Sequence, residues 1–156
     1  MNDAGSPHPA LLETWPYAHF LGMRAQIDGT ELTGVLPFSQ HLIGNPILPA
    51  LHGGVVAAFL ELTALAQLSV RAGPTSSWRT VDTTVDYLRP ARAVDSYARA
   101  EVLRMGRRVA SIRAILWQSN PAHPVAAMRG NFVLNPAQSL SRFDGPIKTG
   151  STGSSL

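Results

Sequence analysis

Between Leu51 and Arg71 the chain reads Leu-His-Gly-Gly-Val-Val-Ala-Ala-Phe-Leu-Glu-Leu-Thr-Ala-Leu-Ala-Gln-Leu-Ser-Val-Arg, a run made almost wholly of Ala, Leu, Val and Phe. Gly53 and Gly54 open it and the pair Gly73-Pro74 stops it, which is the punctuation of one long helix. A helix apolar on every side has no face for water and belongs inside its own protein. The rest of the chain therefore has to wrap around it. One charge stands inside the run, Glu61. An ionised carboxylate taken out of water is costly unless it gains a partner or a proton. Glu61 needs a reason: an ion pair with one of the many arginines, a helix face that reaches solvent, or chemistry. The helix start adds weight to the third. At His52-Gly53-Gly54 several backbone N–H groups and the positive end of the helix dipole are bare, a place for a carbonyl oxygen or an anion.

A chain of 156 residues, 45% hydrophobic and only 15% charged, has enough length to bury one core and reads as one domain. The absence of cysteine excludes a disulfide framework, a thiolate nucleophile and a cysteine-based metal site. Serine and carboxylate chemistry remain, and no metal is expected. The N-terminus shows no basic segment followed by an apolar one, and Glu61, Thr63 and Gln67 interrupt the helix. A cytoplasmic protein with no membrane association is the expectation. The net charge is only +3, yet 12 of the 13 basic residues are arginine and seven of those fall between Arg89 and Arg113. Arginine suits bidentate phosphate contacts. A nucleic-acid binder carries a stronger imbalance with aromatics interleaved among the charges, so no nucleic acid is expected as a partner.

Read in order, residues 1–8 are expected to be disordered and Pro9 to Trp15 to form a short helix. Phe20 to Ile27 and Glu31 to Pro37 read as strands joined at the tight turn Asp28-Gly29. Phe38 to Leu51, with Gly44, Pro46 and Pro49, is a shaped loop feeding the helix, long enough to favour a functional role. Four runs of strand character follow: Trp78 to Leu88, Ser96 to Arg104, Arg107 to Gln118 and Pro124 to Leu134. In the first, Val81, Thr83, Val85 and Tyr87 share one face, and Asp82, Thr84 and Asp86 the other. Met105-Gly106 marks a hairpin and Ser119-Asn120-Pro121 a turn. From Asn135 onward Ser, Gly, Thr and Pro dominate, the composition of a flexible tail. The layout is α+β, a curved antiparallel sheet around one central helix, within residues 18–134.

Asn45, Leu51-His52-Gly53-Gly54 and Glu61, nine residues after the histidine, resemble the PaaI-type branch of hotdog-fold acyl-CoA thioesterases. Val85-Asp86-Tyr87-Leu88-Arg89-Pro90 and Val102-Leu103-Arg104-Met105-Gly106-Arg107-Arg108 are similar to that family's strand ending in proline and its Gly-Arg hairpin. The resemblance implies a hotdog fold and hydrolysis of an acyl- or aryl-CoA thioester to the free acid and coenzyme A. It implies no cofactor besides the coenzyme A of the substrate, and a homodimer or homotetramer with sites at the subunit interface. On this reading the Gly53 N–H binds the thioester oxygen, and Glu61 activates water or attacks directly. These two lie eight residues apart on one helix, about 12 Å, too far to serve one carbonyl, so Glu61 faces the Gly53 of a second subunit. Gly54, Ala57, Ala58, Glu61 and Ala64 form a small-residue stripe that lets another backbone approach; packing on the chain's own sheet explains the alanines equally well.

The family's polar partner stands where this chain has Pro46, with Asn45 one residue further back. Asn45 is thus either a turn residue beside Gly44 or a group that positions water. His52, counted among the catalytic candidates with Glu61, Gly53 and Asn45, shapes the loop and caps the helix or else transfers a proton directly, while Gly54, Arg89, Arg107 and Arg108 are the substrate-binding candidates, the arginines for phosphates or else as solvated strand ends. Thr63 and Gln67 touch the acyl group or serve the core. The segment His41 to Pro49 also resembles the catalytic-histidine loop of hotdog 3-hydroxyacyl dehydratases, which would pair His41 with Glu61. A non-catalytic acyl-CoA-binding protein is the third reading.

Overall fold

The computed structural model describes residues 12, 14–73 and 76–135. In chain order these form helix α1 (Pro16–Leu21), strands β1 (Arg24–Asp28) and β2 (Glu31–Leu36), a single 3-10 turn (Gln40–Leu42), β3 (Ile43–Asn45), β4 (Ala50–Leu51), helix α2 (Gly53–Ala72), and strands β5 (Ser77–Tyr87), β6 (Ser96–Met105), β7 (Val109–Trp117) and β8 (Ala126–Asn135). Six strands make one antiparallel sheet in the order β1-β2-β6-β7-β8-β5. The α+β layout is the one expected, a long helix packed on a large antiparallel sheet.

The core lies between the two. From α2 it takes Val56, Phe59, Leu60, Ala64, Ala66 and Leu68, and from the sheet Ala98, Ala110, Ile112, Ala114, Leu116, Ala126, Met128 and Phe132. Alternation along β7 and β8 turns every second residue toward the helix, most of them small or medium with Phe132 the large exception. The contact is close at Gly34, where an added Cβ would stand 2.6 Å from Thr63 Oγ1. Each large side chain buried this way contributes about 1.5–3 kcal/mol. By length and composition α2 would also suit a membrane span, but half of that stretch is buried inside the fold.

Several expectations shift. Phe20 and Leu21 belong to α1 and not to a strand; Gly22, at φ 72, ends that helix in the left-handed conformation, and β1 begins only at Arg24. Pro16 occupies the first helical position of α1, and Leu12, inside the expected Pro9 to Trp15 helix, is helical. The expected helix from Pro9 to Trp15 and the expected disorder of residues 1–8 fall largely outside the described residues, as does the tail beyond Asn135. The loop from Phe38 to Leu51 contains its own hairpin, with Ile43 paired to Leu51 and Asn45 to Ala50. In β5 the register slips between Thr80 and Asp82, a bulge that throws Val81 outward and turns Thr80 to the helix side.

Candidate active site

The start of α2 is built around His52. It is the N-cap, at φ −61 and ψ 133, and its Nδ1 accepts the Gly54 N–H at 2.9 Å. Its own N–H donates to the Leu42 carbonyl at 2.9 Å, and Leu51 N–H donates to Ala91 at 2.8 Å, so the hairpin before the helix is tied on both sides. Two glycines fit the histidine closely. A Cβ on Gly44 would meet His52 Cα at 2.7 Å, and one on Gly54 would meet Nδ1 at 3.0 Å. Both are glycine because His52 occupies the space.

Gly53 is different. A Cβ there would meet nothing closer than the Tyr87 hydroxyl, at an ordinary 3.5 Å, so packing within its own chain does not require glycine. The Tyr87 hydroxyl donates to the Gly53 carbonyl at 2.8 Å. That carbonyl and the Gly54 N–H are the two ends of one peptide unit, and each is held by a side chain, Tyr87 at one end and His52 at the other. One peptide earlier, the His52 carbonyl accepts from Val55 and Val56, while the Gly53 N–H has no acceptor among the described residues. A fixed donor is thus left at the positive end of a twenty-residue helix. A cavity of about 350 Å³ bounded by Leu51, Gly53, Val56, Tyr87, Arg89 and Val125 adjoins it.

Glu61 lies two turns further along, half-buried, its Oε1 accepting the Thr80 hydroxyl at 2.6 Å. The ion-pair explanation finds no partner for Glu61 among the described residues. Among the described residues the one salt bridge joins Arg113 to Glu101 at the surface, at 2.8 Å. By contrast the helix's other polar groups are saturated by backbone: Thr63 donates to Phe59, and Gln67 accepts from Leu32 N–H and donates to the Thr30 carbonyl, both at 2.8 Å. Of the two roles open to Thr63 and Gln67, the core is the one observed.

The remaining candidates are dispersed. Asn45 is exposed, with its Oδ1 accepting the Ile47 N–H at 2.9 Å, a turn role. His41 has both ring nitrogens engaged, by Ser39 Oγ at 2.9 Å and the Phe20 carbonyl at 3.2 Å, with its ring against Phe20, so this chain does not pair it with Glu61. Arg89 donates to the Pro124 carbonyl beside the Gly53 cavity. Arg107 and Arg108 sit in the exposed β6–β7 turn, where the Arg108 carbonyl accepts from Leu134. The Arg89 N–H bonds to Val125, nine residues before Leu134, a strand length of roughly 30 Å. One chain therefore does not gather the three arginines. Sequence reasoning missed the roles of Thr80 and Tyr87. Tyr87 was placed on a face but not tied to the helix start, and strict alternation puts Thr80 on the wrong side because it ignores the bulge at Val81.

Residues 48–124, which carry the helix start, Glu61, Thr80 and Tyr87, match the family model described as thioesterase superfamily. A solved protein from Chromobacterium violaceum is 32% identical at a TM-score of 0.65, the match covering 82% of this chain and 89% of that one. The chain belongs to the thioesterase superfamily. Its hotdog fold is shared by a phenylacetic acid degradation-related protein from Ralstonia eutropha JMP134, 24% identical with a TM-score of 0.67 over 82% of this chain and 92% of that one. It is shared also by a Bacillus halodurans protein solved with CoA, 18% identical with a TM-score of 0.70 over 83% and 86%. Among curated proteins none matches the chain.

Proposed function

We propose that this thioesterase-superfamily protein hydrolyses an acyl- or aryl-CoA thioester to the free acid and coenzyme A, in sites shared between two copies of the chain. The observation that carries the reading is one helix bearing, at Gly53, an N–H with no acceptor among the described residues and, at Glu61, a half-buried carboxylate held by Thr80 with no cation paired to it among them, the two spaced too widely to meet at one carbonyl. The thioester oxygen accepts from the Gly53 N–H, where the donor and the helix dipole favour the negative charge that develops on it. Glu61 of the other copy takes a proton from water as the water oxygen bonds to the carbonyl carbon; the C–S bond then breaks and the proton passes to the departing thiolate. Direct attack by Glu61, through an anhydride that water opens, uses the same geometry. Thr80 orients the carboxylate by holding one oxygen and leaving the other free. Nothing in this chemistry calls for a cofactor beyond the coenzyme A of the substrate, and the CoA bound to the Bacillus halodurans relative supports that thiol.

The edge strand supports the shared site. Among the described residues β5 pairs only with β8, and Val81 and Tyr87 on it and Leu88 just after it are 62%, 56% and 51% exposed. A long open edge of this kind is a template for pairing. If two copies join β5 to β5 about a two-fold axis passing between Thr83 and Thr84, Thr80 of one falls opposite Tyr87 of the other. That brings the Glu61 end of one helix to the Gly53 end of its partner, in a homodimer or a dimer of dimers. The test is thiol release from a panel of aryl, short and medium acyl-CoAs: turnover that Glu61→Gln abolishes upholds the reading. Enoyl product, or binding without turnover, rejects it.

A further inference from the structure

Besides the Gly53 cavity, two clefts among the described residues are each lined with more than one arginine, and they differ in one respect. The first brings Arg71, Arg99 and Arg113 together with Glu31 and Glu101, and its charge is partly cancelled in place by the Arg113–Glu101 pair. The second, of about 570 Å³, lies between the segment after β5 and the turn before β8; Arg89, Arg92, Gln118, Ser119 and His123 line it and no carboxylate does. Arg89, Pro90 and Val125 belong both to this cleft and to the cavity at Gly53, so the two spaces adjoin on one chain.

The backbone of the second cleft is fixed while its cationic side chains are not used up. Gln118 grips both sides of Arg92, its Oε1 accepting the Arg92 N–H at 3.0 Å and its Nε2 donating to the Arg92 carbonyl at 2.8 Å. The same Nε2 donates to Ser96 Oγ at 3.1 Å. Across the cleft, Asn120 closes the turn by accepting from Ala122 at 2.9 Å and from His123 at 3.0 Å. The Arg92 guanidinium, the His123 ring and the Ser119 hydroxyl have no partner among the described residues, and Arg89 spends one N–H on Pro124. Hydrogen-bonded loops, two arginines and a histidine on the lining and no carboxylate there suit a phosphate, because guanidinium and imidazole N–H groups bond an oxyanion with charge assistance.

We infer that this cleft takes the phosphates of the thiol carrier, on the same chain whose Gly53 N–H receives the thioester oxygen. The inference rests on the thioester-hydrolase reading and corrects the grouping of Arg89 with Arg107 and Arg108. The thioester passes from the Gly53 cavity into the cleft along Arg89 and Pro90, with Arg92, Ser119 and His123 at the phosphate end.

The test compares an acyl-CoA with the N-acetylcysteamine thioester of the same acid, which lacks phosphate, on the full chain carrying Arg92→Gln and His123→Gln together. The KM for acyl-CoA rises by about tenfold or more, the loss of one to two charge-assisted bonds, and the KM for the phosphate-free thioester stays within about twofold of wild type. An equal rise for both substrates, or no rise for acyl-CoA, overturns the proposal while leaving hydrolysis in place. Where the wild type cleaves neither substrate, the hydrolase reading has failed and calorimetric titration with adenosine 3′,5′-bisphosphate decides the cleft by itself. Binding that the double variant loses supports it, and no binding, or equal binding, overturns it.

Discussion

Toward its C-terminus α2 carries Thr63, Gln67 and Ser69, each bonded to backbone within its own chain, and toward its N-terminus it carries Glu61 and the Gly53 N–H, both with capacity to spare. The first set lies buried, at 0%, 4% and 5% exposure; Thr63 and Ser69 bond to their own helix and Gln67 ties the helix to Thr30 and Leu32. Glu61 is half-buried and Gly53 exposed. One amphipathic rule does not separate them, since both sets are polar groups in an apolar run. What separates them is whether the chain itself completes their hydrogen bonds. Saturated groups hold the fold, and unsaturated groups on a rigid frame are available to a substrate.

That contrast can be broken at its strongest point first. Glu61→Gln keeps the shape and a hydrogen-bonding oxygen for Thr80 and removes the charge, so kcat falls by at least about a hundredfold with the thermal midpoint unchanged or raised. A variant retaining more than about a third of the rate would take Glu61 out of the chemistry. Gln67→Ala is the mirror experiment. It strands the Leu32 N–H and the Thr30 carbonyl and leaves a cavity, which costs about 2–4 kcal/mol of stability in urea unfolding; kcat below the transition stays near wild type. A large loss of kcat in the folded protein would mean that the two halves of the helix are not functionally separate.

Tyr87→Phe sharpens the comparison at the helix start. It releases one end of the Gly53–Gly54 peptide while keeping the ring, and kcat drops about fivefold with a smaller change in KM, since one neutral hydrogen bond is worth about 1 kcal/mol. A pure KM effect would recast Tyr87 as a wall of the acyl cavity. The smallest effect belongs to Arg107→Gln with Arg108→Gln, which raises the KM for acyl-CoA by only about two- to threefold and fades at higher salt, as expected of exposed charges. A rise matching that of the Arg92 and His123 variant would place the β6–β7 turn at the phosphates after all.

Much of the fold could be read from spacing. The Gly-Gly start, the Gly-Pro stop and the apolar run between them define α2, and the alternation in β7 and β8 defines the face that α2 covers. The Glu61 carboxylate and the cap at His52 were visible for the same reason, because each is a local exception to a regular pattern. Thr80 and Tyr87 escaped because their roles depend on tertiary register: the bulge at Val81 reverses the face of Thr80, and only the packing of β5 along α2 brings a tyrosine to a carbonyl 34 residues earlier. Arg89, Arg107 and Arg108 looked like one cluster because they crowd in sequence, yet antiparallel strands carry neighbours in sequence to opposite ends of a sheet. His123 and Ser119 gave no signal beyond a turn, since what makes them a cleft is Arg92 on another loop.

The proposed site takes its N–H donor from one chain and its carboxylate from another, and Gly53→Pro makes this division measurable. Proline is favoured at a first helical position and removes only the N–H that the chain leaves without an acceptor. His52 already has the extended backbone, φ −61 and ψ 133, that a following proline requires. Gly53→Pro and Glu61→Gln are each inactive alone. After subunit exchange of equal amounts, half of the dimers hold one copy of each, and each such dimer has one site with both groups intact, so about a quarter of the wild-type rate returns. No recovery in a mixture shown by mass to have exchanged would place both groups in one chain and contradict the account.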